Sequence, residues 1–456
     1  MPAQSASDRY REDVDLLESL AGRLEQNDAE GIRTLLAGVP PADIAALVRD
    51  LDEEERAPVF RALDVDTAAE VLAELGPQSV QAIAEGAPAR VQQAMGKLEP
   101  DEVADVLEML PDAQAEAILD EFPRDQATAA ERLLTYRADS AGGLMTTRFV
   151  LLYKDITARD AIEITQQSRE TETVGDLFVA DKGNRLVGYL PLERLVFAAP
   201  GRHVGDLMEE EPYAVTPDID QEELVRAATK YNLNAVPVVD GAGRMLGVVT
   251  MDDILEAAEQ EADEDMYRLA GTGERDPVHA SVFHSTRLRL PWLLLSVIDG
   301  MFIAMIVSRF ENTLRVVELS FFIPLIPLMG GQVAVQASTI MVRGLALGNI
   351  RRSRIMQYLG KQVVIAVLLA VLCASAAGML GSLVVGADVR VMAAVALAVA
   401  IAILVSGTLG TILPFAFNAV GIDPAVSAGP FITMVNDAFC ICIYLLLGAA
   451  LAPPVG

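Results

Sequence analysis

The stretch GIDPAVSAGPFITMVNDAFCICIYLLLGAALA (421–452) sets a single acid, Asp437, inside an apolar run. From Gly429 to Ala452 the run is long enough to cross a bilayer, and apart from Asp437 only the phenol Tyr444 interrupts its lack of charge. A carboxylate in such a span costs about 2.5–3.5 kcal/mol on insertion scales unless water, a partner or an ion compensates it. Thr433 lies one helical turn earlier on the same face and Asn436 is adjacent, so one side of the helix is polar. Either Asp437 snorkels to an interface, or it is an ion site on a pore or bundle axis. The second reading organises the rest of the chain.

Working outward, four more apolar spans precede it, at roughly 291–310, 318–342, 361–385 and 391–415. Arg287 and Arg289 stand before the first. Arg343, Arg351, Arg352, Arg354 and Lys361 lie between the second and third. The positive-inside rule puts both loops in the cytosol and the carboxyl terminus outside. The second span, FFIPLIPLMGGQVAVQASTIMV, is expected to be broken by Pro324 and Pro327. Gly330 and Gly331 permit close backbone approach there, and Gln332 and Gln336 share one face. Irregular backbone at membrane depth is tolerated where it is packed in protein or lines a wet cavity.

Composition divides near residue 286. Residues 1–285 hold 58 of the 64 acids and 25 of the 35 basic residues, a net of −33, while the remainder holds 6 acids and 10 basic residues, a net of +4. An acidic, soluble half is therefore joined to an apolar membrane half. So negative a surface disfavours nucleic acid and suits divalent cations. Cys373, Cys440 and Cys442 all fall in apolar spans and read as packing residues. His203, His279 and His284 lack ligand spacing, and no nucleophile–base pair or P-loop suggests an enzyme. Residues 1–30 are charged and contain no secretory core, so the amino-terminal half is expected in the cytosol.

Within that half, DIAALVRDL (43–51), TAAEVLAEL (67–75), EVADVLEML (102–110) and AQAEAILDEF (113–122) repeat a helical apolar pattern. Their spacing predicts a superhelical stack of short helices. Asp101 and Asp105 share one face near a helix start, where the dipole favours carboxylates. Residues 140–255 become β-rich and duplicate: LFVADKGNRLVGYLPLERL (177–195) matches VPVVDGAGRMLGVVTMDDI (236–254), with Asp181/Asp240 and Gly188/Gly247 both 59 apart. Each copy reads strand, turn, strand, helix and resembles a CBS domain. In such pairs a Thr and an Asp like Thr250 and Asp253 often hold a nucleotide ribose, although the same Asp equally serves a metal. Residues 252–270 form an acidic amphipathic helix leading to the membrane. Close pairs among its acids cost about 3 kcal/mol at about 5 Å and an effective dielectric of about 20, which makes its position sensitive to bound cations.

The whole arrangement resembles the MgtE family of magnesium channels. The motifs SAGGLMT (140–146), EDMYRLAG (264–271), RLPWLL (289–294), VRGLALG (342–348) and GIDPAVSAGPF (421–431) carry the likeness. The resemblance implies a multidomain chain: an all-α superhelical N domain (1–137), an α/β CBS pair (138–200 and 201–256), a plug helix and linker (257–285) and a five-helix membrane domain (286–456). It implies a homodimer with the pore between subunits, in a bacterial plasma membrane, with Mg2+ both transported and regulatory. The pore acid matches Asp437, with Gly330, Gly331, Gln332, Gln336, Thr433 and Asn436 lining the path. Regulatory magnesium is expected on Glu70, Asp101, Asp105, Asp220, Glu222, Asp253, Glu256, Glu261, Glu264 and Asp265.

Several positions depart from the family pattern. Asn232 replaces a regulatory Asp, and Glu193, Arg194 and Leu233 stand where relatives contact adenine nucleotide, which leaves nucleotide binding open. Gln332, Ala334, Met434 and Cys440 depart near the pore, and Asp299 adds an acid to the first membrane helix. The expectation is a Mg2+ channel importing the ion and gated by cytosolic Mg2+. The alternatives are a transporter of altered preference (Co2+, Mn2+ or a monovalent ion) and a non-conducting Mg2+ sensor.

Overall fold

The computed structural model describes residues 6–168, 175–272, 282–347, 350 and 354–451, and the chain divides into two compact units, Met1–Ala258 and Glu259–Gly456. His279, Arg351 and Arg352 lie outside the described residues. Among the described residues of the first unit, ten helices come first: α1 (Ala6–Glu25), α2 (Ala29–Leu36), α3 (Pro41–Asp50), α4 (Glu53–Ala62), α5 (Val65–Ala73), α6 (Pro77–Gly86), α7 (Pro88–Met95), α8 (Pro100–Glu108), α9 (Asp112–Glu121) and α10 (Arg124–Leu133). Their shortness follows from punctuation. Pro41, Pro77, Pro88 and Pro100 open α3, α6, α7 and α8, where a missing N–H costs nothing. Asp28 and Asp64 cap α2 and α5, accepting from the N–H groups of Gly31 and Thr67 at 2.9 and 3.0 Å. Most of the contacts join next-but-one neighbours, α2 on α4, α3 on α5, α4 on α6, α5 on α7 and α8 on α10. The apolar faces thereby merge into one core around Ile44, Phe60, Leu72, Ile83 and Met95, the superhelical stack that the repeats predict.

The duplicated region follows as β1 (Leu151–Tyr153), α11 (Ala158–Gln167), β2 (Asp176–Ala180), β3 (Leu186–Pro191), α12 (Leu192–Val196), β4 (Glu209–Glu210), α13 (Gln221–Tyr231), β5 (Val236–Val239), β6 (Met245–Val249) and α14 (Met251–Ala270). The first sheet has the order β1-β2-β3-β4, with β1 parallel to β2 and the other pairs antiparallel. The second is the β5–β6 hairpin, extended by a parallel bridge from Val215 to Val238 and an antiparallel one from Thr146 to Val248. Each sheet therefore borrows a segment from the other copy's stretch of sequence, and the two copies fold as one body.

The hairpin turns match in detail. Asp181 accepts from Gly183 and Arg185 N–H, and Asp240 from Ala242 and Arg244 N–H. Asn184 and Gly243, also 59 apart, both take the left-handed conformation (φ 59° and 78°), which only Gly, Asn and Asp enter cheaply.

Among the described residues of the second unit, five helical segments are long and apolar enough to cross a membrane. They comprise α15 (Val282–Arg309), α16 (Val317–Phe321) continuing into α17 (Leu325–Ala346), α18 (Ile355–Val385), α19 (Val389–Ala419), and α20 (Pro424–Ala428) continuing into α21 (Pro430–Leu451). The second span breaks once, before Leu325 at Pro324, while Pro327 sits in the first turn of α17, where proline is tolerated. Gly330 and Gly331 lie within continuous helix. Tyr444 secures the break, its hydroxyl donating to the Leu319 carbonyl at 2.6 Å.

The bundle is built on α19, which packs on α17, α18 and α21. Small residues allow the close approach: a Cβ at Gly410 would stand 2.5 Å from the Ala334 carbonyl oxygen on α17. Replacing Gly410 by Val should therefore cost about 1–3 kcal/mol through overpacking, read as a lower melting temperature in detergent. An unchanged melting temperature would show that α17 and α19 do not touch at this point.

Candidate functional site

In the membrane unit, Asp437 is half-buried on α21 and opens, with Thr433, onto a cavity of ≈530 Å³. The same cavity is lined by Asp299 and Ser296 of α15, Val335 of α17, and Leu269 and Ala270 at the end of α14. Asn436 does not open onto it. It is 1% exposed, accepts the Ser406 hydroxyl of α19, receives the Cys440 thiol at 3.5 Å, and donates from Nδ2 to Asp437 Oδ1 at 3.3 Å. Gly330 completes this knot, because a Cβ there would lie 2.6, 2.9 and 3.0 Å from Cys440 Sγ, Ser406 Oγ and Asn436 Nδ2. Asn436 and Gly330, read from sequence as lining the path, lie instead in the helix interface, beside the acid that opens onto the cavity. Gly331 is half-buried beside them. Gln332 and Gln336 lie on the exposed side of α17, with Thr339 a turn further on.

The end of α14 closes one side of the cavity. Arg268, the single base in that helix, pairs with both Glu264 and Asp423. Asp423 in turn caps α20, accepting from the Ala425 N–H at 2.7 Å. Leu269 packs with Val342 and Ala425, and a Cβ at Gly429 would stand 2.9 Å from the Arg268 carbonyl oxygen. Sequence reasoning missed Arg268 and Asp423, although a lone base among acids and an Asp-Pro helix start were both visible signals. Glu264 is thus committed to Arg268, and Glu261 and Asp265 lie half-buried nearby on the same helix.

In the first unit, Asp105 on α8 faces Asp253 and Glu256 at the start of α14, with Glu102 and Glu108 beside it. Asp105 has an exposed edge, yet its carboxyl is crowded by protein; burial, then the charges of Glu108, Glu256, Asp253 and Glu102, push it up to about 7. Asp253 is pushed up to about 6, chiefly by burial and then by Asp252 and Glu256, against the Thr250 hydroxyl that donates to it at 2.6 Å. Asp252 shares that same hydroxyl, so both members of the Thr-Asp pair are engaged within this cluster. Asp101 is buried on the same helix as Asp105.

The other acids expected to be regulatory lie apart from this cluster. Asp220 caps α13 and sits 3.7 Å from Arg137, Glu222 pairs with Arg226 at 2.8 Å, and Glu70 is exposed on α5. Sequence reasoning did not single out Glu102, Glu108 or Asp252, nor the bridge of Glu99 to Arg148 at 3.0 Å that flanks them. Among the described residues no three His, Cys, Asp or Glu form a ready-made metal cage. The cluster offers paired hard oxygens, which suit an ion that keeps several of its waters.

Comparison with known proteins bears on both units. A family model described as a divalent cation transporter matches residues 323–447, one described as the MgtE intracellular N domain matches 39–139, and CBS domains match 141–201 and 204–260. A magnesium transporter MgtE of Bacillus subtilis is 28% identical over 430 residues, covering 94% of this chain and 95% of that protein. A crystal structure described as the cytosolic domain of the Mg2+ channel MgtE in complex with ATP is 31% identical. It covers 53% of this chain and 99% of its own, with a TM-score of 0.50. The magnesium transporter MgtE of Thermus thermophilus is 30% identical over 456 residues, 96% of this chain and 99% of its own length. With that likeness running from the helical stack through the CBS pair to the last membrane helix, the chain belongs to the MgtE family of magnesium transporters.

Proposed function

We propose that the chain is a homodimeric Mg2+ channel of a bacterial plasma membrane. It imports the ion past Asp437 and is restrained when cytosolic Mg2+ is high. The observation that carries this reading is a carboxylate at membrane depth, held towards a cavity by a buried amide. Magnesium sheds its waters reluctantly, so a carboxylate meeting a largely hydrated ion is the expected selective contact. Gln332, Gln336 and Thr339 make a polar stripe on the exposed face of α17. Such a stripe is expensive to present to lipid and natural against a second copy. The basic residues before α15 and after α17 assign the amino-terminal half, with its proposed N domain (1–137), CBS copies (138–200, 201–256) and plug (257–285), to the cytosol.

For gating, the acids of α8 and the start of α14 are the proposed brake. Asp105, Asp253 and Glu256, with Asp101 behind them, would hold regulatory Mg2+. Glu261, Glu264 and Asp265 continue the acidic face of α14. Asp220, Glu222 and Glu70 are left as further single-carboxylate contacts. Adenine nucleotide stays an open ligand: the ATP complex belongs to the relative, and here Thr250 and Asp253 are occupied with each other.

Asp437→Asn should reduce Mg2+ uptake at least tenfold in a magnesium-auxotrophic bacterium while the protein still elutes as a folded dimer; an Asn variant that rescues growth like the parent would remove Asp437 from the pore.

A second test concerns pH. Asp105 and Asp253 bind protons more tightly folded than unfolded, since burial and neighbouring carboxylates raise both above the ordinary aspartate range. The stability gained by keeping those protons is full below about pH 4 and is lost as pH rises through about 6–7. A soluble fragment 1–270 without divalent ions should therefore melt lower at about pH 8 than at about pH 5. Millimolar Mg2+, replacing the protons, should raise the melting temperature much more at the higher pH. Asp105→Asn should flatten both dependences. An equal Mg2+ effect at both pH values would place the regulatory ion elsewhere.

A further inference from the structure

The first membrane helix carries an acid that the proposed pore mechanism leaves unused. On α15 partly covered positions include Leu288, Trp292, Leu295, Asp299, Ile303 and Ile306, spaced three and four apart along one face. The opposite face, with Leu293, Val297, Ile298 and Met301, is 62–68% exposed and wholly apolar. Asp299 thus stands on the stripe that packs towards α21, away from the lipid-like side. Ile303 and Ile306, one and two turns further on, join the apolar cluster of the bundle and hold the helix in that rotation.

Asp299 also has no cation of its own. Arg289 and Arg309 lie ten residues to either side on its helix, about 15 Å along the axis at 1.5 Å per residue. Among the described residues no Lys, Arg or His forms a salt bridge with it. Its carboxyl opens instead onto the cavity that Asp437 lines from α21, with Ser296 one turn before it and Thr433 one turn before Asp437. Two acids and two hydroxyls from two helices therefore bound one space, and none of the described residues lining it is a base. The remaining compensation available at membrane depth is water and a mobile cation.

We propose that Asp299 is a specificity-determining residue of transport, a second carboxylate that makes this cavity select divalent over monovalent cations. The inference rests on the reading of Asp437 as the transport carboxylate for its paired-charge mechanism, while the position of Asp299 on the cavity stands without it. One carboxylate attracts Na+ and Mg2+ alike. Two carboxylates bounding the same cavity are neutralised together by one divalent ion with its waters attached, whereas a monovalent ion leaves one charge uncompensated. The two acids differ in support: Asp437 is fixed by Asn436, while Asp299 depends on helix packing alone. Asp437 is therefore the obligatory contact and Asp299 the one that sets preference.

The test uses the full-length protein in proteoliposomes, with Mg2+ and Na+ fluxes measured separately. Asp299→Asn, and Asp299→Ser as a second variant of different size, should transport Mg2+ with half-saturation raised about tenfold by loss of the focused charge. Na+ flux relative to Mg2+ flux should rise alongside. Asp299→Glu should keep the parental ratio. Parental half-saturation and flux ratio in both neutral variants, each eluting as folded protein, would overturn the proposal and leave Asp299 a bystander. The Asp437→Asn arm is read independently. Full Mg2+ flux there, beside an altered ratio in Asp299→Asn, would discard the pore role of Asp437 while retaining Asp299 as the selective acid.

Discussion

The buried side chain of Asn436 is the contact on which the membrane site depends. Successive residues on a helix point about 100° apart, so fixing Asn436 against α19 fixes where Asp437 points. The Ser406 hydroxyl anchors the amide oxygen, and the amide nitrogen donates to the carboxylate itself. A hydrogen bond of this kind between membrane helices nets only about 0.6 kcal/mol on average. Leaving the amide unpaired would cost more, about 1–3 kcal/mol. The asymmetry makes the knot an orienting device more than a source of stability. Gly330 is its steric condition, since a side chain there would occupy the space that Cys440, Ser406 and Asn436 share.

The helix α14 joins two electrostatic regimes. At its start, Asp252, Asp253 and Glu256 add to acids on α8 that are already crowded and hard to ionise. Near its end the sign reverses: Arg268 binds Glu264 and the capping Asp423, and Leu269 and Ala270 line the cavity that holds Asp437. The acid-rich start can be relaxed by a proton or a cation. The Arg268 pairing needs neither. In the proposed gating, a change of cytosolic cation concentration would act first on the start of the helix, because the Arg268 pairing near its end is already balanced.

Most of the architecture was legible because it is written in local patterns. Apolar periodicity gave the short helices, a repeat of 59 gave the matched hairpins of Asp181 and Asp240, and length with hydropathy gave the five spans. What was not legible depends on rotation and on contacts far apart in sequence. Asn436 looked like a polar residue beside a pore acid, and only the position of Ser406, 30 residues earlier, shows that it faces the interface. Pro327 reads as a second break in that span, whereas it sits in the first turn of α17 and the one break falls at Pro324, because proline lacks only an N–H that the helix start does not use. Arg268 and Asp423 are 155 residues apart, so no window of sequence contains both. The exchange of edge segments between the two CBS sheets was hidden likewise, because Thr146 and Val248 pair across nearly the whole region.

The energetics of the proposed brake set a minimum on how many ions it uses. Moving a gate from almost always open to almost always closed, from about 1:99 to 99:1, requires about 5.5 kcal/mol of differential binding. A single cation present at about one hundred times its dissociation constant contributes about 2.7 kcal/mol, and then only if it binds one state exclusively. One Asp105–Asp253–Glu256 cluster with one ion therefore falls short by about half. Two clusters, one in each subunit of the proposed dimer, would reach the requirement if a single gate reads both. Linkage is reciprocal, so such a gate would respond steeply to cytosolic Mg2+, and any change that holds the cavity open would weaken Mg2+ binding at the acids of α8 and α14. Dimerisation would then supply the second half of the switching energy as well as the second face of the pore.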